Sequence, residues 1–291
     1  MKSLLDYILE NRRVYFGIHN PNYNQCVILA GGAASGKGNI QKLIDITGKV
    51  FDVDELKKKY IKLAKADILP DTYDYDLAKP EDCARLHQII KDKGWKGKER
   101  SNFFKGNSNP EHLGNVIFDM VSDNYEDIED VVCQAKGSGY TVTIVWVVTP
   151  IGVAITNNAI RGIGDKSKRR SVPDYVLKSG HAGAYSTICD ILNNKYKVIN
   201  EFIDNVWIGF GNGWGYVEDP IAASSPVIRI KKDNDNNFIF NQEQIDSYLN
   251  TMPQINYDKL NRALTSSKPY EKEQAEMFIK LTSGIDKSKL R

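Results

Sequence analysis

The sequence predicts an α/β fold, a parallel sheet with helices on both faces. Three observations carry that prediction. Apolar runs suited to buried strands, Cys26-Val27-Ile28-Leu29, Asn115-Val116-Ile117-Phe118 and Thr141 to Val148, alternate with stretches of helical pattern. The first run passes directly into Ala30-Gly31-Gly32-Ala33-Ala34-Ser35-Gly36-Lys37-Gly38, a glycine-rich turn that opens a helix. Three strand-like segments also lead into groups able to do chemistry, and an open parallel sheet gathers such groups beyond its carboxyl edge.

Taken in order, residues 1–24 read as an amphipathic helix and a loop. The first strand and the glycine-rich turn follow, then a helix carrying Ile40, Leu43 and Ile44. Lys49 to Asp54 reads as a short second strand ending in carboxylates, before a helix with Leu56, Tyr60 and Leu63. Residues 67–112 are polar and rich in Asp, Lys and Pro, with a helical pattern from Pro80 to Lys91, as expected of an insertion over the sheet edge. A strand ending at Asp119, a helix around Glu126 to Lys136 and the strong β run 141–148 come next. Helices are expected from Gly152 to Arg161 and after Pro173, with a strand at Val206 to Phe210. Residues 224–242 suit a β-hairpin turning at Asp233 to Asn236, and the remainder is helical. The expected division is an N-terminal helix and loop at 1–24 and a core over 25–222. That core would carry the insertion at 67–112 and a lid at 161–174. A C-terminal hairpin and helical extension would occupy 223–291.

Composition narrows the class. Lys and Arg number 39 against 37 Asp and Glu, a net charge of +2, so no global field draws the chain to nucleic acid. Four cysteines, at 26, 83, 133 and 189, form no C-x-x-C pair; free thiols in a reducing compartment are expected, with Cys26 and Cys133 in the core. No signal peptide is evident and the most apolar run is too short to span a bilayer, so the expected location is cytoplasmic, with no membrane partner.

Gly31 and Gly36 bracket four residues and Lys37 follows, which matches the phosphate-loop pattern G-x-x-x-x-G-K up to its last position, where Gly38 replaces Ser or Thr. Small residues let successive amides face an anion, the helix adds its positive end, and the lysine reaches the terminal phosphates. Gly31, Gly32, Ala33, Ala34, Ser35, Gly36, Lys37 and Gly38 are therefore the expected nucleotide-binding residues, and the sheet is expected to be of P-loop NTPase type. Gly38 has no hydroxyl for Mg²⁺. Asp119, after a strand, is placed to hold the metal, with Asp52 as a second carboxylate. Asp54 is the candidate base for an attacking hydroxyl, although Asp52 and Asp54 equally suit the capping of the next helix. Arg161, Arg169 and Arg170 either stabilise transferring phosphate from a lid or form an exposed basic loop. His181 reads as a helix-terminal histidine with a structural hydrogen bond, and His87 and His112 lie in the insertion, where the sequence does not establish whether they face a substrate.

The order of these motifs, from the loop through V-F-D-V-D-E-L, N-V-I-F-D and T-I-V-W-V-V to Ala154–Arg161 and Arg169-Arg170-Ser171-Val172-Pro173-Asp174, resembles the zeta-toxin family of P-loop kinases. The loop itself is similar to those of uncharacterised zeta-toxin-like proteins of tailed bacteriophages. The resemblance covers about residues 25 to 210. It implies a catalytic aspartate at Asp54, lid arginines at Arg161 and Arg169 or Arg170, and ATP and Mg²⁺ as cofactors, and it leaves open whether an antitoxin-like or phage protein is a partner. The implied activity is transfer of the γ-phosphate of ATP to a hydroxyl of a nucleotide sugar or similar small acceptor. A hydroxyl in DNA, a non-catalytic nucleotide-binding role and, more remotely, an ATPase motor are the alternatives.

Overall fold

A computed structural model describes residues 23–43, 47–66, 68–77, 79–106, 114–161, 172–210, 227–251, 254–281 and 285–290. The helix and loop expected over 1–24, save the last two residues, lie outside them, as does most of the 161–174 lid.

Seven strands form one sheet: β1 (Gln25–Ala30), β2 (Lys49–Asp52), β3 (Val116–Met120), β4 (Thr141–Val148), β5 (Asn205–Phe210), β6 (Val227–Lys232) and β7 (Phe238–Ile239). Their order is β2-β3-β1-β4-β5-β6-β7. The first five are parallel, and β6 and β7 add as an antiparallel edge. β1 is central, with Cys26 to Ala30 all buried, which explains its unbroken apolar run. Register places Leu29 opposite Asp119 and Asp119 opposite Asp52, so the strand before the glycine-rich loop and both aspartates end at one edge.

The helices are α1 (Lys37–Leu43), α2 (Val53–Lys65), α3 (Pro80–Asp92), α4 (Trp95–Gly106), α5 (Tyr125–Gly137), α6 (Ile151–Arg161), α7 (Asp174–Leu192), α8 (Lys197–Phe202), α9 (Gln242–Thr251), α10 (Tyr257–Leu264) and α11 (Pro269–Leu281). Alternate strand residues feed two cores. Ile28, Phe118, Ile144 and Ile208 meet α5 and α7 on one face, and Leu29, Ile117, Val145 and Trp207 meet Ile40 of α1 on the other. The fold is thus an α/β sheet covered on both sides. Among the described residues no helix is long and apolar enough to cross a membrane.

Three local findings refine the sequence reading. The second strand stops at Asp52, because its Oδ1 accepts the Asp54 amide (2.8 Å) and caps α2; Asp54 therefore sits in the first helical turn. The polar segment after α2 is also more deeply integrated than its composition suggests. Ile90, Phe103 and Phe104 join the main core, where Phe118 meets Phe51, Phe103 and Phe104 at centroid distances of 5.2, 5.5 and 5.1 Å. Cys26 is buried as expected, but Cys133 is exposed: Val131 and Val132 face the core and the next position turns away.

Phe118 thus ties α4 to the sheet. Phe118→Ala is expected to destabilise the fold by about 3–5 kcal/mol through lost burial and a cavity, read as a lower urea midpoint.

Candidate active site

The loop between β1 and α1 adopts positive φ at Gly31 (146°), Ala34 (60°) and Gly36 (94°). Such backbone is costly at an alanine and must be held from outside. The hold is on three successive carbonyls. Ala33 O meets His181 Nε2 at 2.8 Å, Ala34 O accepts from Asn157 Nδ2 at 3.0 Å, and Ser35 O accepts from Thr149 Oγ1 at 2.6 Å. Thr149 follows β4, Asn157 lies in α6 and His181 in α7. In a planar trans peptide the amide of the next residue points opposite the carbonyl. The amides of Ala34 and Gly36 therefore face away from these anchors, while Ser35 N bonds Gly32 O (3.3 Å). With the amides of Lys37 and Gly38 at the start of α1, this arrangement is able to hold an anion, while Asn39 N is already bonded to Gly36 O (2.9 Å).

Gly32 is fixed by a close approach. A Cβ there would lie 2.1 Å from Cδ2 of the His181 ring. The histidine is mid-helix, not at a helix end, but its structural hydrogen bond is as expected. Burial lowers its pKa; the bond to Ala33 opposes that shift and nearby Lys37 reinforces it. The neutral ring must carry its proton on Nε2 to bond a carbonyl.

Lys37 opens α1, and its Nζ donates to Gly31 O (2.5 Å) and Gly32 O (3.2 Å), with Asp119 Oδ1 at 3.4 Å. These groups open into a cleft of about 900 Å³ lined by Ala33 to Asn39, Asp54 and Asp119. Gly31 and Gly32 are buried and are not part of its lining. The far end is lined by α2, α3, α4 and the start of α5. Lys57 pairs with Asp54 (2.9 Å), Lys96 with Asp127 (2.5 Å), and buried Arg100 with Asp130 (2.5 Å) and Asp127 (3.2 Å). Burial alone would raise the Asp127 pKa, but Lys96 and Arg100 outweigh it and hold it below the ordinary carboxylate value. His87 also lines this end, its pKa lowered by burial and by Lys57 and Lys96.

The expected residues Ala33 to Gly38, Asp54 and Asp119 therefore converge. Asp52 stands at the end of β2 with its carboxylate engaged in the cap. Arg161 is the last residue of α6, its side chain outside the described residues, as are Arg169, Arg170 and His112. Sequence reasoning missed Thr149, Asn157 and Lys57, and also Asn256, Lys259 and Arg262, which line the cleft from the C-terminal helices. One signal was present: two adjacent asparagines inside an apolar helix are poor helix formers that need a reason. Asn157 holds the loop, and Asn158 exchanges bonds with Val172 (2.9 and 3.2 Å).

Fold and loop together define a mostly parallel α/β protein whose first strand opens into a braced, glycine-rich loop ending in a lysine. No family model and no curated protein sequence matches the chain. Among solved structures, a complex of AvrRxo1-ORF1 and -ORF2 with ATP is similar at 15% identity, covering 90% of this chain and 77% of that one with a TM-score of 0.49. A structure of the PezAT chromosomal toxin–antitoxin system of Streptococcus pneumoniae is similar at 13% identity, covering 95% and 92% with a TM-score of 0.43. Similarity at this level concerns the path of the chain; the chemistry rests on the residues themselves.

Because folding depresses the His181 pKa, the unfolded chain protonates first as pH falls. The stabilisation that neutral His181 gives is complete above its ordinary value of 6.5 and is lost as pH falls through the lower folded value. Thermal melts of wild type and His181→Gln should therefore differ most near neutral pH, with the difference shrinking as the pH is taken progressively below 6.5.

Proposed function

We propose that this chain is an ATP-dependent phosphotransferase that moves the γ-phosphate to a hydroxyl of a small polar acceptor. The observation that carries this reading is the convergence of a braced phosphate loop, Lys37, Asp119 and Asp54 on one cleft. The ordered motifs that resemble zeta toxins point the same way.

In this reading the amides of Ala34 and Gly36 and the first turn of α1 hold the phosphates. Lys37 exchanges its carbonyl partners for phosphate oxygens and neutralises charge as the leaving group departs. Asp54, held at the cleft wall by Lys57, takes the acceptor's hydroxyl proton. The acceptor oxygen then forms its bond to the γ-phosphorus as the bridging bond to the β-phosphate breaks, giving a phosphorylated acceptor and ADP. The arginines at 161, 169 and 170 belong to the same proposal as groups that close over the phosphates.

The donor set fits Mg²⁺, which takes one or two carboxylates and fills its shell with phosphate oxygens and water. Asp119, about a third exposed in the cleft, would be the principal ligand, with Asp52 near it in register and Gly38 contributing none. When bound, the metal supplies charge neutralisation on the phosphates.

A small acceptor is favoured over DNA because the cations at the far end are paired with carboxylates in a concave cleft, where a polymer would need an open basic track. The protein would act in the cytoplasm, with an antitoxin-like partner as a further possibility of the same reading.

Two variants test this, with γ-labelled ATP, Mg²⁺ and pools of nucleotide sugars and of normal and hydroxymethylated DNA. Lys37→Ala should weaken ATP binding by about 10–100-fold, the scale of a lost charged hydrogen bond. Unchanged affinity would sink the phosphate-loop assignment. Asp54→Asn should keep ATP affinity and lower label transfer by about 10²–10⁴-fold. Equal turnover would remove Asp54 from the mechanism, and label in DNA alone would reverse the choice of acceptor.

A further inference from the structure

The sequence assigns no role to the helices after the hairpin. The structure places one of them in the site. Asn256, Lys259 and Arg262, at the start of α10 and along it, border the same cleft as the phosphate loop. Lys259 Nζ donates to Asn157 Oδ1 (3.1 Å), and Asn157 Nδ2 donates to Ala34 O (3.0 Å). An ammonium only donates and a carbonyl only accepts, so these two bonds fix which way the Asn157 amide stands. The chain from charge to loop therefore has a single polarity: cation, amide, loop carbonyl, with each bond strengthening the next.

The docking that brings Lys259 here is built in. Ile155 and Ala159 of α6 pack against the cluster of Ile255, Leu260, Ala263 and Phe278. At the first turn of α6, the Gln254 carbonyl comes so close that a Cβ on Gly152 would lie 2.3 Å from it. Only glycine admits that approach. Two independent features, the hydrogen-bond chain and the glycine contact, thus join the C-terminal helices to the element that braces the loop.

We propose that α10 is a second wall of the nucleotide site and that Lys259 is a positioning residue for the phosphate loop, acting through Asn157. Together with Arg262 it adds positive charge to the lining of the cleft. The ligand this serves is a nucleoside triphosphate, so the proposal rests on the reading of the loop as a phosphate site. The charge matters as well as the hydrogen bond. A neutral side chain at 259 would leave Asn157 Oδ1 without this donor, free the amide to turn over, and remove a cation from the field on the phosphates.

The test is calorimetric titration of the full chain with ATP, ADP and adenosine. Lys259→Met should weaken ATP binding about tenfold, weaken ADP less, and leave adenosine nearly unchanged; Lys259→Arg should recover most of the loss. Arg262→Gln should weaken ATP several-fold. Gly152→Ala keeps every cation but crowds the docking contact, and should reproduce the Lys259→Met loss. ATP affinity within about twofold of wild type in Lys259→Met, with Lys37→Ala impaired in parallel, overturns the role of Lys259 while the phosphate loop stands. An equal loss for ATP and adenosine overturns it too, because that is the mark of disturbed packing. Wild type that binds no ATP overturns both this proposal and the reading on which it rests.

Discussion

The loop at 31–38 has the conformation it does because three consecutive carbonyls are pulled outward by three side chains. Thr149 and Asn157 are buried, and a buried polar group without a partner carries a heavy desolvation penalty. The loop and its supports therefore fix one another. The carbonyls satisfy the side chains, and the side chains hold Ala34 in a backbone region that alanine otherwise avoids. Sheet order makes this possible: β4 lies beside β1, so the residue after β4 reaches the loop after β1. Moving β4 one place along the sheet would unbuild the site without touching a loop residue.

The site's electrostatics follow from the same compactness. Along the cleft four of the cations are matched by carboxylates: Lys37 by Asp119, Lys57 by Asp54, Lys96 and Arg100 by Asp127 and Asp130. Such pairs hold long side chains in defined positions, and an arriving anion can displace a carboxylate rather than meet a bare cation. An almost neutral chain thereby carries a cleft rich in positive groups, a distribution that net charge alone conceals.

What was legible in the sequence was local. The strands at 25–30 and 141–148 announce themselves because central parallel strands are apolar on both sides, and the loop because its residue types are dictated by backbone geometry. The ambiguity over Asp52 and Asp54 was also a true one. A strand end that meets a helix start offers both a cap and a carboxylate, and Asp52 makes the cap while Asp54 faces the cleft. The supports were not legible, since nothing near Asn157, His181 or Lys259 in the chain says which carbonyl or amide each will meet. The helix at 95–106 hid its core role for another reason: Phe103 and Phe104 are adjacent, not spaced at helical intervals, among charged neighbours.

The distances along the chain between the loop and its supports set an order of assembly. Ser35, Ala34 and Ala33 bond to residues 114, 123 and 148 positions further on, and Asn157 to one 102 positions beyond itself. A ribosome delivers the glycine-rich segment early and its braces much later. During synthesis the loop must wait as an unsupported turn, with no defined amide cradle, until β4, α6 and α7 have emerged and folded against β1. The loop thus takes its defined shape only after each of its braces has been made, although its signature precedes all of them in the chain.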